Sequence, residues 1–260
     1  MRQKASRSGS GAQRIGSDKM TAFPRPLEGR YGVSLTIAIL ALAPCLVEGD
    51  WLSSRSIDDL LGCAISLEVL RQAASGGWKT NVTVLLHRAE EVGFIGALDL
   101  IADRAVPLED SVISVETSRE MPGARPGGGP VVRLGDKACL FDGNLTELLD
   151  AAAKRVSARG TQCQRLRLTG GTCEATAYLA AGYEAGGVAI PLVNYHNGWG
   201  ADAVAPEKVR LSDVAGAVAL LREAVRLFPK ATLRGRLRER LEERRRRLAP
   251  GLGIWQTLSS

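Results

Sequence analysis

Short apolar runs alternate with amphipathic segments between residues 57 and 228, and few folds accommodate this alternation. Apolar residues recur at helical spacing in five segments: Ile57–Ala74, Ile95–Ala102, Leu145–Val156, Glu174–Ala181 and Leu211–Phe228. Five compact apolar runs predict strands: Val82–Leu86, Val112–Val115, Val131–Leu134, Gln164–Leu168 and Val188–Asn194. Alternating strands and helices are typical of a parallel sheet covered by helices. We therefore predict an α/β fold, with a mixed and largely parallel sheet sandwiched by helices.

The composition is that of an ordinary globular protein. Of the 260 residues, 45% are hydrophobic and 24% are charged, and the 5% of aromatic residues do not suggest a surface that stacks bases. Much of the formal charge of +6 lies in the first 30 residues and in Arg234–Arg247. The latter stretch interleaves acids with arginines, as in a solvated helix with internal ion pairs. We expect no specific nucleic-acid partner.

The two terminal segments indicate the domain organisation, and the cysteines indicate the cellular compartment. Residues 1–29 are basic and rich in serine and glycine, which predicts disorder, and residues 231–260 are predicted to form a basic helical extension. Five cysteines without a CxxC pair are typical of a reducing compartment, so we expect a cytoplasmic protein. Tyr31–Val47 is apolar, but Pro44 interrupts it and it is short for a bilayer. We interpret it as a buried strand or pair of strands, with no membrane contact.

Two adjacent carboxylates, Glu90 and Glu91, follow the apolar run Val82–Leu86. Neighbouring carboxylates repel each other, and a bound divalent metal is the commonest compensation. In a parallel sheet, ligands gather beyond the carboxyl ends of the strands, where Glu116 and His196 also fall. Together with Asp58, these groups form a set suited to Zn²⁺, with Co²⁺ or Mn²⁺ as alternatives. The Pro/Gly loop 120–129 is expected to lie over this site.

Each of these residues also has a simpler interpretation. Asp58–Asp59 would serve as a helix N-cap and first-turn acid, and Glu90–Glu91 as a solvated turn. His196 would be a turn residue, and His87 an ordinary half-buried histidine. Gly170–Thr172 would be a tight turn before a helix, although such a segment can also bind an anion.

The order of the motifs resembles a known family. The motifs are Ser-Ile-Asp-Asp-Leu-Leu-Gly-Cys-Ala from Ser56, Ala-Glu-Glu-Val-Gly-Phe-Ile-Gly-Ala from Ala89, Ser-Val-Glu-Thr from Ser114, Gly-Gly-Gly-Pro from Gly128, Gly-Gly-Thr from Gly170 and Tyr-His-Asn from Tyr195. Between roughly Val47 and Phe228 they resemble the M42 glutamyl aminopeptidases, within the wider group of M28 and M20 zinc peptidases. The resemblance implies a zinc-peptidase-like (phosphorylase/hydrolase-like) fold and hydrolysis of N-terminal peptide bonds with one or two divalent ions.

Position by position, the resemblance assigns roles to the acidic residues. The carboxylate of Asp58 would bridge two metals. Its peptide bond to Asp59 would be cis, and Asp59 would join the catalytic set. Glu90 would be the general base. Glu91 and His196 would complete one metal site with Asp58, and Glu116 would serve the second.

The sequence also departs from the family pattern. Cys173 replaces the aspartate of a Gly-Thr-Asp-Ala segment, and no residue before Asp58 matches the histidine of the second metal site. We therefore expect an N-terminally incomplete chain that lacks the first strands. Residues 30–52 would be the remnant of an inserted β-domain, and residues 53–230 the catalytic domain.

These departures leave two functions open. The first is a metal-dependent peptidase of the aminopeptidase type, impaired by one incomplete metal site and acting on peptide substrates. The alternative is a non-catalytic binding or assembly protein that retains the peptidase fold. In either case the relatives suggest a homo-oligomer.

Overall fold

The computed structural model describes residues 45–200, 203–228 and 240–248, residue 42 and five dipeptides nearer the N-terminus. The strands are β1 (Gln13–Arg14), β2 (Thr21–Ala22), β3 (Leu27–Glu28), β4 (Ser34–Leu35), β5 (Ala38–Ile39), β6 (Cys45–Glu48), β7 (Trp51–Ser54), β8 (Val112–Arg119), β9 (Val131–Arg133), β10 (Gln164–Leu166), β11 (Ala185–Leu192), β12 (Gly198–Trp199), β13 (Ala203–Val204) and β14 (Glu207–Arg210). The helices are α1 (Leu60–Ser75), α2 (Ile95–Ala102), α3 (Gly143–Ser157), α4 (Glu174–Ala180) and α5 (Leu211–Leu227). Residues 240–248 are also helical.

Most of the two terminal segments lies outside the described residues. Of the segment 1–29, for which the sequence predicts disorder, the structure describes three dipeptide strands, and of the basic extension 231–260 it describes residues 240–248. No helix in the described part of the chain is long and apolar enough to span a bilayer.

The central sheet has four strands in the order β10-β9-β11-β8. β11 runs parallel to β8 over eight residue pairs, and β10 runs parallel to β9. β9 and β11 are antiparallel, with Arg133 opposite Gly187. The predicted mixed and largely parallel sheet is therefore confirmed.

Helices cover both faces of this sheet. On one face α1, α3 and α5 contribute residues such as Ile65, Leu149 and Leu220 to the larger core cluster. On the other face α2 and α4 enclose a smaller cluster that includes Ala97 and Tyr178. Burial of these apolar side chains, at about 25 cal/mol per Å² of apolar surface, is the main term that holds the layers together.

A second sheet has three strands in the order β14-β7-β6. The hairpin of β6 and β7 pairs with β14, so that Glu207 lies opposite Ser54. All four residues of β6 are exposed because it is the edge strand. The expectation of a buried strand is therefore wrong for the last residues of Tyr31–Val47.

Three predicted elements differ from the observed ones. Val82–Leu86 forms no strand ladder within the described residues, because side-chain pattern alone does not supply a partner strand. β8 continues to Arg119, since all eight of its residues pair with β11, and Glu116 therefore lies within the strand rather than after it. α1 begins at Leu60 rather than Ile57, because Asp59 caps it. α2 has the predicted ends, and the remaining elements are shifted by three residues at most.

Candidate metal centre

Three of the residues expected to bind metal converge at one edge of the central sheet. Asp58 lies in the turn before α1, Glu91 in the turn before α2, and His196 in the one-turn helix after β11. One ligand atom from each lies within 4.8 Å of the other two. His196 Nε2 is 3.4 Å from Asp58 Oδ2 and 3.6 Å from Glu91 Oε2.

These distances fit a tetrahedral metal ion. Ligands bound at about 2.0–2.1 Å in a tetrahedron are roughly 3.3–3.4 Å apart. Two carboxylate oxygens and one imidazole nitrogen are donors that Zn²⁺, Co²⁺ and Mn²⁺ accept, and three protein ligands leave a fourth position open. The side chain of Asp58 is 10% exposed, whereas those of Glu91 and His196 are 60% and 51% exposed, so the site is open to solvent on one side.

Asp58 is the most constrained of the three ligands. Its peptide bond to Asp59 is cis, as the family resemblance implied. Thr117, on β8, donates a hydrogen bond of 2.8 Å to Asp58 Oδ1, which leaves Oδ2 facing His196. Burial raises the pKa of Asp58 to about 6, while the Thr117 bond opposes that rise and the charge of Glu91 adds to it. An ion bound here would displace the proton that Asp58 carries below this pKa.

Asp59 caps α1, which is the simpler of its two interpretations. Its side chain accepts a hydrogen bond of 3.2 Å from the Gly62 backbone N–H. Gly62 is required for this close approach, since a Cβ there would overlap the Asp59 carboxylate and lie 2.7 Å from the Val115 carbonyl oxygen. Burial, and then the negative charges of Glu116 and Asp58, raise the pKa of Asp59 to about 9.

Glu90 lines a cavity of about 420 Å³ together with Asp58, Glu91 and Glu116. This volume lies within the range of small-molecule sites. Burial raises the pKa of Glu90 to about 8, with further contributions from the charges of Glu116 and Glu91. A carboxyl group with a pKa near neutrality is suited to proton transfer at physiological pH.

Glu116 does not join the group of three. It lies on β8, where Ser114 Oγ donates a hydrogen bond of 2.6 Å to its carboxylate. Burial raises the pKa of Glu116 to about 7, against the opposing effects of the Arg133 charge and the Ser114 bond. The structure thus brings Asp58, Glu91 and His196 together and leaves Glu116 to one side of them.

Both ring nitrogens of His87 lie close to polar groups, and its side chain is only 7% exposed. Its Nδ1 lies 2.8 Å from Glu174 Oε1, and its Nε2 lies 3.0 Å from the Tyr178 hydroxyl. The interpretation as an ordinary histidine holds, except that the side chain is nearly fully buried. Among the described residues it does not belong to the group formed by Asp58, Glu91 and His196.

Sequence reasoning missed three residues near the site. Thr117 holds Asp58, and Glu207 accepts backbone hydrogen bonds from both Asp58 and His196. Arg133 lines the cavity while only 3% exposed, and within the described part of the chain its Nε has no hydrogen-bond partner. The only sequence signal was position: Thr117 follows Glu116, and Glu207 begins a short alternating segment.

The sequence of this chain is similar to those of known proteins. The sequence pattern of the M42 glutamyl aminopeptidases matches residues 30–203. A putative aminopeptidase of Acetivibrio thermocellus is 25% identical over 185 residues, which cover 69% of this chain and 53% of that protein.

Two solved structures share the fold. One is the TET1 peptidase of Pyrococcus horikoshii, which can assemble into a tetrahedron or a large octahedral shell. It matches with a TM-score of 0.63 and 19% identity, and the match covers 74% of this chain and 55% of the TET1 chain. The other is aminopeptidase APDkam598 of the archaeon Desulfurococcus kamchatkensis, with a TM-score of 0.61 and 20% identity. This match covers 75% of this chain and 54% of the APDkam598 chain. The chain spans about half the length of these relatives, and the structural likeness establishes the zinc-peptidase-like fold.

Proposed function

Because this chain belongs to the M42 glutamyl aminopeptidase family, we propose that it hydrolyses N-terminal peptide bonds with one divalent metal ion. The observation that carries the proposal is the convergence of Asp58, Glu91 and His196, with ligand atoms within 4.8 Å of one another, beside a cavity that Glu90 lines. Zn²⁺ fits this donor set best, with Co²⁺ and Mn²⁺ as alternatives.

The ion, when bound, supplies Lewis-acid polarisation of a carbonyl group and lowers the pKa of a water molecule. The residues of the chain supply the rest of the chemistry. Asp58, Glu91 and His196 would hold the ion beside the cavity. Glu90 takes a proton from the attacking water and delivers it to the nitrogen of the departing amine, a contribution of about 10²–10⁴-fold. Asp59 contributes by fixing Asp58 at the start of α1.

The contacts of the residues that could hold a second ion favour an alternative function. His87 is committed to Glu174 and Tyr178, and Glu116 is paired with Ser114. A chain with a reduced metal complement would then serve as a binding or assembly protein. Assembly with further copies of the chain is a proposal under either function.

Hydrolysis of aminoacyl p-nitroanilides by the metal-loaded chain tests the proposal. We expect slow release of nitroaniline that Glu90→Gln abolishes while the variant retains its metal. A matched control is Glu109→Gln, an exposed acidic residue outside the cavity, which should keep the activity. If the wild-type chain binds metal but hydrolyses no substrate of the series, the peptidase proposal is wrong and the binding function remains.

A further inference from the structure

We propose that Glu207 is the positioning residue of this metal centre: one buried carboxylate fixes the backbone of two ligands, Asp58 and His196, in a common frame. The inference rests on the proposed metal site and adds a residue to it. Glu207 lies on β14, in the second sheet, whereas the ligands lie at the edge of the central sheet.

The two carboxylate oxygens of Glu207 face different parts of the site. Oε2 accepts hydrogen bonds from the backbone N–H groups of Ile57, at 2.7 Å, and Asp58, at 3.1 Å. Oε1 accepts one from the backbone N–H of His196, at 3.1 Å. The residue is only 2% exposed, so these bonds are shielded from competition with water.

Burying a carboxylate costs free energy unless its charge is compensated. A buried carboxylate is usually paired with an arginine or lysine. Within the described residues the hydrogen bonds of Glu207 all come from backbone N–H groups, and no salt bridge to lysine or arginine is formed. Two of these three donors belong to metal ligands, so the carboxylate is compensated by the same backbone that it orders.

The backbone around His196 needs such support. Asn194, His196 and Asn197 all have positive φ, at 57°, 54° and 60°, a region that residues other than glycine rarely occupy. Such conformations persist where surrounding contacts determine them. Here Asn194 Nδ2 donates to the Pro206 carbonyl at 2.7 Å, and Asn197 Nδ2 donates to the Ala205 carbonyl at 3.2 Å.

Glu207 extends this set of contacts to the other ligand. The Asn194 and Asn197 bonds hold the His196 turn against residues 205–206, but neither reaches Asp58. Within the described residues Glu207 accepts hydrogen bonds from the backbones of both Asp58 and His196, and the side-chain ligand atoms of these two residues lie 3.4 Å apart. Groups that orient metal ligands typically change metal affinity by about 10–100-fold when they are removed.

The test compares Co²⁺ binding by the full chain and three variants, followed by visible absorption and by competition with Zn²⁺. Glu207→Gln replaces one acceptor oxygen by an N–H donor, and we expect it to weaken Co²⁺ binding about 10–100-fold and to alter the Co²⁺ spectrum. Glu207→Asp keeps the carboxylate on a shorter side chain and should restore part of the affinity.

Asp213→Asn is the matched control. Asp213 is also a buried carboxylate that accepts two backbone hydrogen bonds, from Gly127 at 2.7 Å and Gly129 at 2.8 Å, but it touches no metal ligand. It should lower the thermal midpoint of the metal-free chain without changing Co²⁺ affinity or the spectrum.

Each outcome decides between the claims. Weakened Co²⁺ binding in Glu207→Gln with unchanged binding in Asp213→Asn supports the inference. Equal Co²⁺ affinity in the wild type and Glu207→Gln overturns the positioning role of Glu207 but leaves the metal site intact. An equal loss of Co²⁺ affinity in Glu207→Gln and Asp213→Asn overturns that role as well. If Glu207→Gln does not fold, Glu207→Asp decides, since its Co²⁺ affinity and spectrum must both depart from those of the wild type. Absence of Co²⁺ binding in the wild type refutes the proposed function itself.

Discussion

Replacing Thr117 by valine removes one hydrogen bond from the metal centre with almost no change in shape. Thr117 is 3% exposed, and its hydroxyl donates to Asp58 Oδ1 at 2.8 Å. A hydrogen bond to a charged group contributes about 1.5–3 kcal/mol, which sets the upper limit of the effect. The metal-free protein also uses this bond, so only part of it reaches the metal affinity. We expect about 1.4 kcal/mol, or roughly a tenfold loss.

Zn²⁺ competition against a chromophoric chelator measures this loss directly. Thr146→Val is the matched control, because Thr146 is also buried, at 8% exposure, but its hydroxyl has no hydrogen-bond partner within the described residues. The control should bind Zn²⁺ as tightly as the wild type. A Thr117→Val variant that stays within twofold of the wild type would refute the reasoning, as would an equal loss in both variants.

Three further predictions follow from contacts around the site and in the core. Burial alone would raise the pKa of Glu223, but hydrogen bonds from Arg155 and Arg159 lower it below its ordinary value. The ionised carboxylate therefore stabilises the fold fully above the unfolded pKa of about 4.3. This stabilisation is lost as the pH falls through the lowered pKa of the folded state. Glu223→Gln should therefore reduce the free energy of unfolding in urea by about 1–2 kcal/mol at pH 7 and by less near pH 3; an equal loss at both pH values contradicts this. Arg133→Met should reduce kcat/KM at least tenfold (~1.4 kcal/mol) for substrates with an acidic first residue, and less for leucyl substrates. The substitution removes a buried positive charge from the cavity wall, and within the described residues the Nε of that guanidinium has no hydrogen-bond partner. Equal losses for both substrates count against this prediction. Gly62→Ala should lower stability by about 1–3 kcal/mol and weaken metal binding, whereas Gly143→Ala, with open space around its Cβ, should do neither.

The sequence was most informative about which residues converge. Asp58, Glu91 and His196 stand in short motifs whose order resembles that of the family, and the structure brings the three side chains together. Glu116 was expected directly after a strand and at a second metal site. It lies within β8, which continues past it, and its carboxylate accepts a hydrogen bond from Ser114. Its role at a second site stays a prediction.

The supporting residues could not be found from the sequence. Glu207 stands next to a lysine in a short alternating segment, where a glutamate is usually exposed. Its role depends on the pairing of β14 with β7, which brings it against Ile57 and Asp58. Thr117 likewise acquires its role from the register of β8. Such contacts join segments that are distant in sequence, and periodicity carries no information about them.

Val82–Leu86 shows the same limit for the fold. Its composition is that of a strand, but a strand is defined by its hydrogen-bonded neighbour, and within the described residues none pairs with it. The helices were easier to predict because their hydrogen bonds are local. α2 has the predicted ends, and α5 ends one residue before the predicted position.

The stoichiometry of metal binding tests the central claim most directly. The metal-free chain would be equilibrated with Zn²⁺, freed of excess ion, and analysed for zinc per chain by atomic emission, alongside His196→Ala and Glu116→Gln. We expect one ion per chain in the wild type and in Glu116→Gln, and substantially less than one in His196→Ala. No bound ion in the wild type, or one ion retained by His196→Ala, would contradict a site built from Asp58, Glu91 and His196.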